Sequence, residues 1–308
     1  MALPSSGPLS INDIAVEFGG SVPHFLSEYY GVVAGVPASG TIAINHFYGK
    51  SNDAPISATG GTISDSGGYR YHTFTSGGTF TVNSAAAGAF SNTINTLILA
   101  AGGAVHANDY MRSDSCGGGG GGGMVETSFS ASAGSKTVSI GQPVNFRQGG
   151  NSSVTGLTTA IGGGFGGPRH APVGQRAGGP GGSGGGGADS YIYGSGTAGQ
   201  GNRGGDARTA SNGHGAGGGG AGAVGGNPDN NAFRAPSGGS GKTWLNGVTY
   251  AGGGGAGHYS EYWAGYGGSG GGGRLGNGTF YGGGAGAGQS SLTSSYGYQG
   301  IVIFRYQI

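Results

Sequence analysis

The stretch "SDSCGGGGGGGMVETSF" (113–129) places seven glycines, Gly117 to Gly123, between Cys116 and an ordinary strand pattern. No residue of the run has a side chain. It cannot catalyse, ligate a metal or fill an apolar core. Three readings are open: a flexible linker, a phosphate-cradling loop, or architecture built from backbone alone.

Composition narrows the choice. The chain holds 82 glycines in 308 residues, about four times the usual share of roughly 7%. Charged residues make up 8% and the net charge is +1. That argues against a charged disordered tail and against nucleic acid, which needs a basic stripe. Sixteen tyrosines are more than a linker would carry. One cysteine excludes an intrachain disulfide framework and a multi-cysteine zinc site. No apolar run approaches the roughly 18 residues of a membrane span, and no basic-then-apolar leader opens the chain.

Glycine runs recur at about 117–123, 162–167, 178–187, 194–205, 213–226, 252–257, 267–273 and 282–288. A linker does not recur in this way inside one domain, and long structureless loops are uncommon. No period of three is kept over a long stretch, which excludes collagen. The remaining reading is extended helices of the polyproline-II type, packed side by side. Their buried faces admit no Cβ, and their N–H and C=O groups must bond between helices. At about 3.1 Å per residue, seven glycines would span roughly 22 Å. Ordering glycine is costly in entropy, so a β flank must supply apolar burial and hold the runs in register.

Strand signals lie between the runs. They fall at 69–82 around Ser76-Gly77-Gly78, at 95–103, at 124–141 as a hairpin, and at 152–163 turning at Gly156. "KTWLNGVTY" (242–250) carries Asn246-Gly247, a strong hairpin signal, and 298–308 closes the chain. The expected fold is mainly β with polyglycine-II. A β-sandwich or barrel flank (69–161, 242–251, 299–306) is joined to a packed glycine-helix bundle with connecting loops.

Residues 1–52 differ. "LPSSGPLSIN" (3–12) and "VPASGTIAIN" (36–45) repeat at a spacing of 33 residues. Ser10 suits a helix N-cap, Asp13 its first turn and Gly19 its stop. Ile14 lies on that helix. A second short helix fits 21–31. Phe18, Phe25, Leu26, Tyr29, Tyr30, Phe47 and Tyr48 make a small aromatic core, too small to stand alone with ease. Residues 53–68 read as a linker and 69–308 as the glycine-rich body.

Two resemblances follow from these strings. "SGPLSINDIAVEFGGSVPHFLSEYYG" (6–31) resembles the opening segment of bacteriophage tail-fibre and receptor-recognition proteins, over about residues 4–50. The body, through "FTSGGTFTV" (74–82), "VTYAGGGGAG" (248–257), the GGGG blocks and "GYQGIVIFRY" (297–306), resembles phage adhesins of the T-even type, which cap long tail fibres with a polyglycine-II sandwich. The first implies attachment to an upstream tail-fibre or baseplate protein, carried by Ile14, Phe18, Phe25, Tyr29, Tyr30, Phe47 and Tyr48. The second implies that loops joining the glycine helices bind a bacterial surface receptor, porin or glycan. Together they place the protein in a virion, at the distal part of the tail, as a non-enzyme without cofactor. Self-association is left open.

Non-glycine insertions concentrate His, Arg, Tyr and Trp, the chemistry of binding loops on a rigid scaffold. Candidate receptor-binding residues are His106, Asp109, Tyr110, Arg169, His170, Arg208, His258, Tyr259, Tyr262, Trp263 and Tyr266. "HYSEYWAGY" (258–266) is the densest aromatic stretch. If each glycine run crosses the body once, the loops alternate between its ends. Loops 104–115, 168–177, 206–212, 258–266 and 289–297 are then distal, and 188–194, 227–237 and 274–281 proximal.

Other motifs fail. "PSGGSGKTW" (236–244) has Pro236 where a P-loop needs glycine, and a hairpin follows where it needs a helix. Seven histidines show no i, i+4 pairing and read as scattered surface residues. A glycosidase pair of carboxylates could be assembled from the loops, but nothing in the sequence favours one. Cys116 reads as a small buried residue. A structural or ice-binding glycine-rich protein is the competing class, and a thermal-hysteresis assay separates the two.

Overall fold

The computed structural model describes residues 2–105, 116–169, 176–188, 191–209, 214–229, 233–258, 261–287 and 295–308. Among these residues the protein is mainly β, with antiparallel sheets and one α-helix. Strands β1 (Ser57–Thr59), β4 (Gly78–Ser84), β7 (Gly134–Ser139) and β8 (Ser153–Val154) form one sheet in the order β1-β4-β7-β8. Strands β2 (Thr62–Ser66), β3 (Tyr69–Phe74), β5 (Thr93–Leu99), β6 (Met124–Ser130) and β11 (Ile301–Gln307) form another, in the order β2-β3-β11-β5-β6. β9 (Lys242–Thr243) and β10 (Thr249–Tyr250) make the Asn246-Gly247 hairpin, with Gly247 at φ 75°.

The central strands β5 and β11 are buried on both faces, which is why "TLIL" and "IVIF" read as continuous apolar runs. Ile94, Ile98, Val302, Phe304 and Tyr306 share one core with Phe80, Val82, Val138 and Val154 of the four-stranded sheet. Phe80 stacks on Phe304 with centroids 4.0 Å apart. On the other face Trp244 and Tyr250 of the hairpin cover Leu97, Leu99, Ile301 and Ile303.

Two expectations are corrected. Residues 53–68 are not a linker, because they carry β1 and β2, one in each large sheet. Buried Ile56 and Ala58 anchor the first, whereas all five residues of β2 are exposed and the strand is held by its pairing with β3. The 124–141 segment is not a hairpin either. β6 pairs β5 and β7 pairs β4, so the chain switches sheets between them.

His72 sits fully buried between Phe80 and Tyr306. Its Nδ1 lies 2.7 Å from the Gly60 carbonyl and its Nε2 3.0 Å from the Tyr306 hydroxyl. A carbonyl only accepts, so Nδ1 carries the proton and Nε2 accepts from Tyr306. Burial lowers the His72 pKa below its ordinary 6.5. The unfolded chain therefore binds the extra proton first, and stability is lost as pH falls below about 6.5. Calorimetry from about pH 8 to 5 should show that fall, and His72→Gln should flatten it. An unchanged slope would assign it to another group, such as buried His214.

The glycine runs bond to one another through their backbones with a period of three. Gly117, Gly120 and Gly123 donate to Gly167, Gly164 and Ile161. Gly118 and Gly121 donate to Ala216 and Gly219, and Gly119 and Gly122 to Ala285 and Gly282. Three further segments donate back: Ala100 and Gly103, Ser183 and Gly186, and Gly254. Run 117–123 thus has six bonded neighbours. None of its glycines has φ in the left-handed region, so backbone conformation does not demand glycine here. Close approach does: a Cβ on Gly120 would lie 2.2 Å from the Ser183 carbonyl oxygen, and one on Gly118 2.1 Å from that of Gly254.

The N-terminal module has its own core of Leu3, Ile14, Tyr29, Val36 and Phe47. Helix α1 (Ile11–Phe18) is capped by Ser10, whose Oγ accepts from the Asp13 amide, and stops at Gly19. The 33-residue repeat has a structural use. Gly49 donates to Pro4 and Gly31 to Pro37, while the hydroxyls of Tyr48 and Tyr30 reach the carbonyls of Gly7 and Gly40. Each repeat is one turn clamped by one Tyr-Gly pair. Phe25 and Tyr30 are exposed and lie outside the core they were expected to join. Phe25 precedes a 3-10 turn (Leu26–Tyr29), and Tyr30 is held by its hydroxyl.

Candidate functional site

Strand β5 gives the molecule a direction. At its start, the loop before it bonds residue 54 through the paired amides and carbonyls of Ala54 and Ala87. At its end the chain enters the glycine segment 100–105. The N-terminal module therefore joins at the end of the flank remote from the glycine bundle.

The loops gather at the far end of the bundle. The amide of Gly257 donates to Cys116, Ala188 to Arg176, and Ala207 to Tyr191. Asp206 N donates to Asn227 Oδ1 at 2.8 Å, and Ala235 N to the Trp263 carbonyl at 2.8 Å. Arg274 donates to the Tyr262 carbonyl, and Val105 to Ser295. At the flank end lie reversals instead. Met124 donates to Gln200, Ala221 to Ala251, and Gly282 to Gln299.

The alternation of loops between the two ends is thereby overturned. Runs 178–187, 194–205, 213–226 and 267–273 do not cross once but double back. Gly182 bonds Gly162 near the flank while Gly179 and Gly186 bond Phe165 and Gly118 farther out. Gly220 donates to Ala223 and Gly272 to Gly268 across two other reversals. The described residues of 188–194 and 227–237 consequently sit with the distal loops. Segment 274–281 spans the bundle: Arg274 is at the loop end, and Phe280 stacks on Tyr250 at the flank.

An aromatic–guanidinium ladder stands at this end. The Arg234 guanidinium lies 5.7 Å from the Trp263 ring centroid and 4.5 Å from that of Tyr266. Arg274 faces the same Tyr266 ring at 4.8 Å. Such contacts contribute about 0.5–1 kcal/mol each at exposed sites. Arg234 Nη1 also donates to the Ala264 carbonyl at 3.0 Å, which fixes the plane of its fork. Trp263 touches Phe233 and Tyr262 with centroids 6.0 and 4.7 Å away. Phe233, Tyr262 and Tyr266 are 79%, 69% and 51% exposed.

Of the residues expected at the site, Tyr262, Trp263 and Tyr266 come together here. Arg208 is ion-paired with Asp206 at 2.7 Å, which holds the carboxyl below its ordinary pKa. Arg169 is half-buried. His258 is corrected: it is buried against His214, centroids 4.9 Å apart, and offers almost no exposed surface. With His72 that makes three buried histidines among the described residues, against an expectation of surface ones. Burial and His258 both lower the His214 pKa. Cys116 is buried beside Val105, Ala285 and Ala287. His106, Asp109, Tyr110, His170 and Tyr259 lie outside the described residues. Phe233, Arg234 and Arg274 were missed as site residues, although their loops stand out by composition. Counting runs without reading Pro180, Thr197 or Ser269 as reversals hid them.

A mainly β, glycine-rich body with short loops at one end defines the class. Residues 75–307 match the glycine-rich domain family, and the chain belongs to it. No curated protein matches the chain.

Proposed function

We propose that the protein is a phage tail adhesin, a non-enzymatic virion component that binds a bacterial surface receptor through loops on a polyglycine-II scaffold. The carrying observation is polarity. The N-terminal module joins at one end, and the loops bearing Trp263, Tyr262, Phe233 and Arg234 converge at the other. The N-terminal resemblance to tail-fibre proteins gives the attached end its meaning.

The scaffold reading rests on the three-residue period of amide directions and on six bonded neighbours around run 117–123. Three residues per turn is the polyproline-II geometry. The flank reads as a two-sheet sandwich because both large sheets contribute to one core. Rigid display suits recognition, since a preorganised loop loses less entropy on binding.

A fragment beginning at residue 53 keeps β1 and β2 and should fold. It should adsorb to host cells as the full chain does, yet fail to join the upstream tail protein. Loss of adsorption by a well-folded fragment would move the receptor site into the first 52 residues.

A further inference from the structure

We propose that the Arg234 ladder binds an anionic surface sugar. Exposed rings of Phe233 and Tyr262 stack on the sugar face, and Arg234, seated on the Tyr266 ring, takes its carboxylate or phosphate. This deepens the adhesin reading and rests on it. The argument starts from charge. A guanidinium is always protonated and presents a planar fork matched to carboxylate and phosphate. Among the described residues Arg234 has no carboxylate partner. Its partners there are one carbonyl and two ring faces. A purely apolar partner closing over the cluster would strand that charge away from water, which is costly. An anion on the partner meets that charge with the strongest hydrogen bonds a guanidinium makes.

Geometry adds the rest. The exposed groups are ring faces with a fixed fork between Trp263 and Tyr266, and Arg274 stands on the second side of the ladder. Tyr and Trp offer flat apolar faces with a polar handle, the surface a pyranose covers well. One acidic substituent on that sugar would reach Arg234 without moving it, because Ala264 already orients the fork. An acidic loop of a protein receptor is the competing occupant, and the experiment separates the two.

The probes are surface polysaccharide extracted from a strain that adsorbs the full chain, the same material dephosphorylated and carboxyl-reduced, and the detergent-extracted outer-membrane proteins of that strain. Titration calorimetry should show binding to the native polysaccharide, weakened at least tenfold by neutralisation. Arg234→Gln should weaken it at least tenfold and Arg234→Lys less. Tyr262→Ala, at an exposed position, should weaken it several-fold with melting unchanged. Equal binding of native and neutralised material would overturn the proposal. So would binding of the membrane proteins but not the polysaccharide, which leaves the adhesin reading standing. If no bacterial strain adsorbs the full chain, the adhesin reading itself falls, and this proposal with it.

Discussion

Gly219→Val is expected to unfold the glycine-rich body at a temperature roughly 6–12 °C below that of the parent, a loss of about 3 kcal/mol. Gly219 is buried in "GAGGGGAG" (215–222). Its amide donates to Gly184 at 2.8 Å, and its carbonyl accepts from Gly121 at 2.9 Å. A Cβ there would lie 2.2 Å from the Asn202 carbonyl oxygen and 2.5 Å from that of Arg203. Those neighbours are backbone atoms of other runs, so no rotamer relieves the clash. Two runs must separate, and each interrun bond broken leaves a buried donor or acceptor unpaired. Gly77→Ala is the control, since its Cβ would meet only the Val138 carbonyl oxygen at 3.5 Å, an ordinary contact. Calorimetry of the two variants checks the claim. Equal melting of Gly219→Val and parent would mean that the runs are not packed.

The joint substitution Tyr262→Ala, Trp263→Ala should reduce adsorption to host cells by at least about tenfold, or roughly 1.4 kcal/mol. Melting should stay within a few degrees of the parent, because Tyr262 is exposed and Trp263 half-buried. The bond that ties the two loops, Ala235 N to the Trp263 carbonyl, is made by backbone and survives both truncations. What goes is the aromatic surface and one wall of the Arg234 site. Adsorption at the parental level by a folded double mutant would take the ladder out of the receptor site.

Much of the fold is legible in the residues because local signals and burial agree there. Ser10, Asp13 and Gly19 bound α1 by capping chemistry. Asn246-Gly247 turns the β9–β10 hairpin, and Ile301 to Phe304 read as a strand buried on both faces. Legibility ends where backbone contacts decide. β2 buries no side chain, so "TISDS" carries no pattern to distinguish it from a loop. Inside the glycine body one composition serves both a crossing run and a reversal. A bend at Pro180 to Ser183 sends the chain back as surely as a loop does, and each missed reversal misplaces every loop after it. His258 shows the same limit. Its burial comes from meeting His214, 44 positions away in the sequence, and nothing adjacent to either residue signals it.

The scaffold claim is tested most directly by amide hydrogen exchange on protein labelled with nitrogen-15 at glycine. Interrun bonds such as Gly120 to Gly164 and Gly121 to Gly219 should open only when the body unfolds. A large class of glycine amides should then exchange as slowly as the amides of β5 and β11. Exchange of nearly all glycines at the rate of an unprotected chain, in a protein whose β5 and β11 remain protected, would contradict it.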